Sequence, residues 1–503
     1  MSVTDTAPTI PPLREGVTVE LTEAGGAIFD AVLGRRIRLD AKGIALARQL
    51  ASPSGSPADP VALAEAVGTT PETVVTLTQK LASLDLLDTP RARTRASERV
   101  ALAAVKASPG AHLRPLPNAH FACTMCGSCC GGHVIGPVTD AILEGLDANL
   151  PALAKTIHRE RRIAKDLFFV LPTQRATPGK DVVCHSSAGS CVFLDDRGLC
   201  RIHAQVGGDK KPLPCRIFPW ELTATPTGIR VAVQRECRDF LAATADTTPS
   251  IADAHEELTA LLAAIPAIPT PKLTPVLRGV ELPSWAAYEA LEASLLHISQ
   301  TPTHTAADTF QGLSAALPVQ PQLTTPASPS TFAAWRDRLL VPVRHILSVL
   351  PPSDDEVIIR VDALSLFERA LTAAHGWVLA RTQAPLTPDE DRLFRSHLQH
   401  SLWSTTNLRA TSVEAGLARV HVEWFLARLF AITRAREVKR FHVTAQDLQD
   451  GLANACFLFR HRDLTPVLDE LDPLTTLIFL DRVEELIQAA DREPDRRTEL
   501  PKF

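Results

Sequence analysis

Nine of the chain's ten cysteines fall between Cys123 and Cys237, and the tenth, Cys456, sits in an apolar helical pattern beside Phe457 and Phe459. The densest run is Phe121-Ala122-Cys123-Thr124-Met125-Cys126-Gly127-Ser128-Cys129-Cys130-Gly131-Gly132, where thiols recur every third position and a fourth follows at once. Thiols so spaced can converge on a soft metal centre. A C-x2-C turn brings two sulfurs to one ion while its backbone amides, loosened by Gly127, Gly131 and Gly132, point toward the thiolates. Neighbouring Cys129 and Cys130 project in different directions, so a cluster or two nearby sites is easier to build than one mononuclear ion. In a chain of 503 residues without an export signal, crowded thiols hold metal or do redox chemistry more often than they form a disulfide framework.

Two later blocks supply further sulfurs. Cys191-Val192-Phe193-Leu194-Asp195-Asp196-Arg197-Gly198-Leu199-Cys200-Arg201-Ile202-His203 predicts a hairpin whose Asp-Arg-Gly turn brings Cys191 and Cys200 together. Lys211-Pro212-Leu213-Pro214-Cys215-Arg216-Ile217-Phe218-Pro219 places Cys215 between proline-fixed segments, with Arg216 able to offset thiolate charge. The expected metal ligands are Cys123, Cys126, Cys129, Cys130, Cys191, Cys200 and Cys215. Cys184 and Cys237 lie outside the strongest blocks and read equally as second-site ligands or as redox-active or inert thiols. His133, His185 and His203 are expected to be structural rather than ligating.

In order and spacing, C-x2-C-x2-C-C, then C-x-F-L, a Cys followed by Ile-His, and K-P-x-x-C-R-x-F-P resemble the YkgJ-type cysteine-cluster family over Phe121 to Pro219. That resemblance implies a zinc- or iron-chelating domain, and we expect an iron-sulfur cluster or iron, with zinc as the alternative. The pattern is more distantly similar to flagellin lysine N-methylases, with Cys215-Arg216-Ile217-Phe218-Pro219 and Cys237 as counterparts of that family's later cysteines. This second likeness implies a cluster beside a pocket for a lysine-bearing protein and S-adenosylmethionine. Gly131-Gly132-His133 departs from it where a Gly-Trp would follow the paired cysteines.

Several other chemistries are excluded. His255-Glu256-Glu257-Leu258-Thr259 lacks the second histidine of a zinc-protease helix. Cys126 and Cys130 fit the first two places of a radical S-adenosylmethionine motif, but His133 takes the third. There is no Walker loop and no Gly-x-Gly-x-x-Gly. His397 and His400, at i, i+3 spacing, are expected on a solvated helix face.

The elements that must position these residues form a mainly α chain. Residues 1–15 are a tail. Residues 16–100 form a winged-helix or PqqD-like helical domain, with helical periodicity over Gly16 to Leu87 and a short strand or turn at Arg35-Arg36-Ile37-Arg38-Leu39. Pro60 to Gly68 is one helix and Thr70 to Leu87 the next, with Pro71 in its first turn. Leu84-Asp85-Leu86-Leu87 resembles the stop of the peptide-binding PqqD-type domains, which implies a protein or peptide partner for this unit. Its second helix offers only Gln79 and Lys80 to a base edge, so DNA is disfavoured.

A linker over 101–118 leads to an irregular cysteine-cluster module over 119–245, followed by a helix and Pro-rich linker over 246–281. An all-α domain over 282–503 is expected from apolar spacing such as Val413, Leu417, Val420, Trp424, Leu426, Leu429 and Ile432. Turns at Pro351 to Asp355 and Pro385 to Asp389 separate its helices.

The formal net charge of -5 gives no global basic surface for nucleic acid. Without a signal peptide or an apolar run of membrane-spanning length, a cytoplasmic, bacterial-type protein is expected. Three functions fit these residues: a metal-binding cysteine-cluster protein, a protein lysine N-methylase-like enzyme, and a metal- or redox-sensing regulator. The regulator would need a basic face at Arg35, Arg36, Arg38 and Arg91 to Arg95. Whether the chain is an enzyme, and its oligomeric state, are left open by the sequence.

Overall fold

The computed structural model describes residues 9–22, 25–51, 58–130, 138–146, 149–161, 168–173, 179–184, 186–187, 190–240, 248–318, 331–349, 361–374, 376–460 and 464–481. His133, His185, Gly131, Gly132 and the turn at Pro351 to Asp355 lie outside them. The chain divides into two units. The first is built on Met1–Ser108 with Ala224–Gly228 and Leu282–Tyr288, and the second on Pro109–Thr223, Ile229–Glu281 and Glu289–Phe503.

In the first unit, β1 (Val17–Thr22), β2 (Gly25–Asp30) and β3 (Arg35–Leu39) form an antiparallel meander in the order β1-β2-β3. The helical periodicity expected from Gly16 is therefore corrected before Ala41. β-Branched Val17, Thr18, Val19 and Thr22 favour a pleated surface, and alternation along β3 leaves Arg36 and Arg38 exposed.

Helices α1 (Ala41–Leu50), α2 (Pro60–Val67), α3 (Pro71–Ser83) and α4 (Pro90–Ala107) follow. Their starts are capped by Asp40, Asp59, Thr70 and Thr89, and Gly68 ends α2 in the left-handed conformation. Leu46, Ala47, Val74, Leu86 and Ile28 meet in one core.

The arginines of this unit are matched by its own carboxylates. Arg36 pairs with Glu20, Arg35 and the buried Arg14 with Asp30, Arg91 and Arg95 with Asp85, and Arg93 with Asp88. The positive charge these residues would offer a phosphate backbone is thus partly spent inside the unit.

The second unit holds the cysteines and most of the helices. Strand β4 (Leu113–Pro115) is followed by α5 (Asp140–Leu146), α6 (Leu150–Arg161), the pair β5 (Phe168–Thr173) and β6 (Gly179–Cys184), and the short pair β7 (Ser186–Ser187) and β8 (Ser190–Cys191). Helices α7 (Arg201–Gln205) and α8 (Leu213–Ile217) lead into β9 (Trp220–Thr225) and β10 (Gly228–Val233). β10 is central in the order β4-β10-β9 and runs parallel to β4, with Arg230 opposite Arg114.

Helix α9 (His255–Leu262) and the small pair β11 (Val276–Leu277) and β12 (Val280–Glu281) precede the helical region. That region contains α10 (Trp285–Gln300), α11 (Ala306–Ala316), α12 (Thr331–Val349), α13 (Val361–Thr372), α14 (Gly376–Thr382), α15 (Pro388–Trp403), α16 (Val413–Glu437), α17 (Ala445–Arg460) and α18 (Thr465–Thr476). No helix is long and apolar enough to cross a membrane among the described residues.

Helix α16 is the axis of this region. Its residues are buried on nearly every side, as expected of a helix that is apolar all round and enclosed by others. Gly416 and Gly451 allow the closest approaches: a Cβ on Gly416 would lie 1.7 Å from the Asn407 carbonyl oxygen, and one on Gly451 2.3 Å from that of Ala427.

Charged residues of the sheet reach into the helices. Arg230, 1% exposed, pairs with Glu292 and Glu289 and lies over the Trp403 ring, its guanidinium 4.9 Å from the centroid. Arg235 pairs with Glu423 and donates to Ser401, while Glu221 accepts from Arg409 and Arg460. Removing one partner of such a buried pair strands the other, at a cost of about 3–5 kcal/mol.

His397 and His400 are both fully enclosed, which corrects the solvated face expected for them. His400 Nδ1 accepts a hydrogen bond from Val233 N at 2.9 Å, joining α15 to β10.

Two predictions follow from this packing. Gly416→Ala forces backbone apart in the best-packed part of the bundle and should cost about 3 kcal/mol, read as a lower denaturation midpoint with unchanged far-UV circular dichroism before unfolding. Burial pushes His400 down to about 3 and His421 to about 4. Below pH of about 6.5 the unfolded chain takes up protons that the folded chain refuses, so stability should fall with pH toward 4. The slope should reach about 1.4 kcal/mol per pH unit for each histidine, and His400→Asn should flatten it in denaturation series run from pH 7 to 4.

Candidate metal centre

The first cysteine loop is held at both ends by backbone. Leu116 N donates to Val231 O, Phe121 N to Pro249 O, and Ile251 N to Ala119 O, so the chain enters Cys123 from the edge of the β4-β10-β9 sheet. Inside the loop, Met125 and Gly127 adopt positive φ of 57° and 72°, and Ser128–Cys130 closes as a 3-10 turn. Met125 N points at the Cys123 sulfur at 3.4 Å, the amide-to-sulfur geometry expected of a C-x2-C turn.

The second block forms the expected turn. Asp195 Oδ1 accepts from Leu199 N at 2.8 Å and from Arg197 N at 3.0 Å, an Asx-type closure, and Leu194 bridges Cys200. Gly198, at φ 83°, ends this turn against the first loop: a Cβ on Gly127 would lie 2.8 Å from Gly198 O. The two loops therefore touch backbone to backbone at the only residue type that allows it. The third block holds Cys215 in α8, its N–H donating to Pro212 O.

Five of the cysteines border one apolar cluster. Cys184 and Cys191 are buried in an apolar cluster with Val192, Phe193 and Ile202, and Cys130, Cys200 and Cys215 pack against it. The Cys130 and Cys129 thiols hydrogen-bond each other, as do Cys184 and Cys191. Cys123 and Cys126 lie instead on the side of Cys237. All ten cysteines are free thiols, with Cys123, Cys126 and Cys129 exposed.

Of the seven ligands expected from the sequence, Cys130, Cys191, Cys200 and Cys215 border the same apolar cluster, and Cys123, Cys126 and Cys129 lie on the exposed loop beside it. Cys184 and Cys237, left open by their spacing, point into the same neighbourhood. His203 stays on α7.

Crowding makes these thiols hard to ionise unaided. Burial pushes Cys215 up to about 12, with the sulfurs of Cys191 and Cys200 adding to it. Burial likewise raises Cys237 and Cys200, although amides of His203 and Ile202 at the start of α7 draw Cys200 back without closing a capping hydrogen bond. Cys130 is raised by its bond to Cys129, and the same bond lowers Cys129 to about 7.

The cation that offsets this charge is Lys211, which acts on Cys129, Cys200 and Cys215; the sequence pointed to Arg216 for that role. Ionising several of these thiols at once would need more positive charge than Lys211 supplies, and a bound thiophilic cation would provide it.

Asp239 is a residue that sequence reasoning missed. Its Oδ2 accepts from Thr124 N at 2.8 Å and its Oδ1 from Thr124 Oγ1 at 2.7 Å, clamping the first cysteine loop onto the turn that carries Cys237. That turn is held in place by the helices: Gln449 Nε2 donates to Cys237 O at 3.2 Å. Thr124 and Asp239 are 115 positions apart, and no local pattern announces such a pair.

Outside the module, His397, Glu423 and Cys456 bring ligand atoms within 4.8 Å of one another in the helical region, all buried. A cation already sits on that carboxylate: the Arg235 guanidinium pairs with Glu423 and lies 3.3 Å from His397 Nδ1. This group is an ion-pair core, and a metal there would have to displace the arginine.

Against known proteins, no curated protein and no solved structure matches the chain significantly. One family model does match, over residues 122–238: CxxCxxCC, described as a "putative zinc- or iron-chelating domain". Its bounds enclose the thiols of all three blocks together with Cys184 and Cys237, so the segment that carries the cysteine loops is similar to that chelating domain.

Proposed function

We propose that this chain is an iron-binding protein of YkgJ type whose module from Cys123 to Cys237 holds iron or an iron-sulfur cluster on cysteine sulfurs, with zinc as the competing ion. The ligands are drawn from Cys123, Cys126, Cys129, Cys130, Cys191, Cys200 and Cys215. The observation that carries this reading is the backbone contact of two well-separated cysteine-bearing loops at Gly127–Gly198. Thiols brought this near one another gain at most weak hydrogen bonds, whereas thiolates around a cation gain its attraction.

The bound metal would supply Lewis acidity or electron transfer. The chain's own contribution is positional: Met125 N steadies Cys123, Lys211 balances sulfur charge, and Asp239 fixes the loop through Thr124. We assign the module to the cytoplasm, where thiols stay reduced. The N-terminal unit is the place we propose for a protein or peptide partner.

Anaerobic purification followed by metal analysis and absorption spectroscopy tests the reading. We expect a brown, iron-containing protein with sulfur-to-iron absorption, and a colourless protein that takes up neither iron nor zinc would overturn it. Asp239→Ala keeps every sulfur but frees the first loop, and competition with a chelator should show metal held about 10–100-fold more weakly. Gly127→Ala should act in the same direction, since the new methyl pushes Gly198 and the Cys200 turn away, and metal retained per chain after gel filtration should drop.

A further inference from the structure

The helical region contains a cavity lined by no cysteine, and we propose that it is a binding site for a small organic anion with an apolar body. Its volume is about 550 Å³, within the ordinary range for small-molecule sites. The loop between α14 and α15 and the loop between α16 and α17 both contribute to its wall. The site is independent of the chelation reading above.

One part of the lining is apolar. Leu393 of α15, Ile432 of α16 and Leu448 of α17 are all buried, and each comes from a different helix, so the surface they make is fixed by the packing of the bundle. A ligand's apolar body would leave water against these side chains.

The polar part belongs to two arginines. Arg428 lines the cavity with only 7% of its surface exposed. Its Nη1 donates to the carbonyls of Thr382 at 2.9 Å and Ala384 at 2.7 Å, which holds the plane of the guanidinium. Its Nη2 stands 3.6 Å from Glu390 Oε1, beyond hydrogen-bonding range, while the other oxygen of that carboxylate caps α15 by accepting from Thr387 N at 2.8 Å. Burial lowers the pKa of Arg428, Glu390 partly restores it, and Arg381 lowers it again, so two positive charges act on each other here.

Arg381 also lines the cavity, and it has no hydrogen bond or ion pair among the described residues. The acidic groups of the lining are already engaged: Glu390 as above, and Asp389 by Arg392 at 3.0 Å. Positive charge is therefore what the cavity has left to offer. The oxygens of a carboxylate or phosphate would take the unused donors of Arg428 and Arg381 and relieve the repulsion between them. An anionic head on an apolar body matches both halves of the lining, whereas a cation would meet two guanidinium groups.

Isothermal titration calorimetry of the full-length chain with octanoate, octyl phosphate, octanol and acetate tests the site. One equivalent of octanoate or octyl phosphate should bind, the tighter of the two identifying the head group. Octanol lacks the charge and acetate the apolar body, so each should bind at least about 10-fold more weakly. Arg381→Gln alters an exposed residue with no partner of its own to lose, and should weaken the preferred anion about 10-fold while leaving octanol unchanged. The proposal is overturned if neither anion binds at millimolar concentration or if octanol binds as tightly as octanoate. An Arg381→Gln chain with native circular dichroism and undiminished anion binding overturns it as well.

Discussion

Thiols that burial keeps from ionising are the constraint on which this protein depends. Loss of water holds Cys215, Cys200 and Cys237 in their neutral form, and each neighbouring sulfur that ionised would repel them further. Such an arrangement is costly for a fold to keep unless a cation converts repulsion into ligation. Glycine contact between the loops, the Asx closure at Asp195 and the Asp239 clamp all keep the sulfurs close despite that cost.

The helices of the second unit share in this task. β10 sends Arg230 into them and the turn just after it sends Arg235, and that turn leads directly to Cys237 and Asp239. Because these ion pairs are buried, the strand cannot shift without stranding a charge, so the turn that carries Cys237 is referenced to α15, α16 and α17. The late cysteine is therefore positioned by the helical region, whereas Cys191 and Cys200 are positioned by their own tight turn. A site whose parts have such different anchors can respond differently at its two ends.

Charge placement also explains why the group of His397, Glu423 and Cys456 does not read as a second metal site of the usual kind. Its residue types suit a metal, yet the guanidinium of Arg235 already occupies the carboxylate. Burial then favours neutral imidazole, which lets His400 accept from Val233 N and makes the core sensitive to acid.

What the sequence determined by itself was local. Residue spacing was enough for the Asp-Arg-Gly turn between Cys191 and Cys200, the helix starts at Pro60 and Pro71, the break at Pro385 to Asp389, and the helical character of the C-terminal region, because each depends on neighbours a few positions away. The strands over Val17–Thr22 and Gly25–Asp30 escaped it, since a short two-sided pattern is ambiguous until a partner strand is known. Only the tertiary structure decided that Asp239 grips Thr124, which ties the turn of Cys237 to the loop of Cys123, and that His397 and His400 are buried. Those outcomes depend on residues more than a hundred positions apart being brought within hydrogen-bonding or Coulombic range, and no periodicity in a chain encodes such a distance.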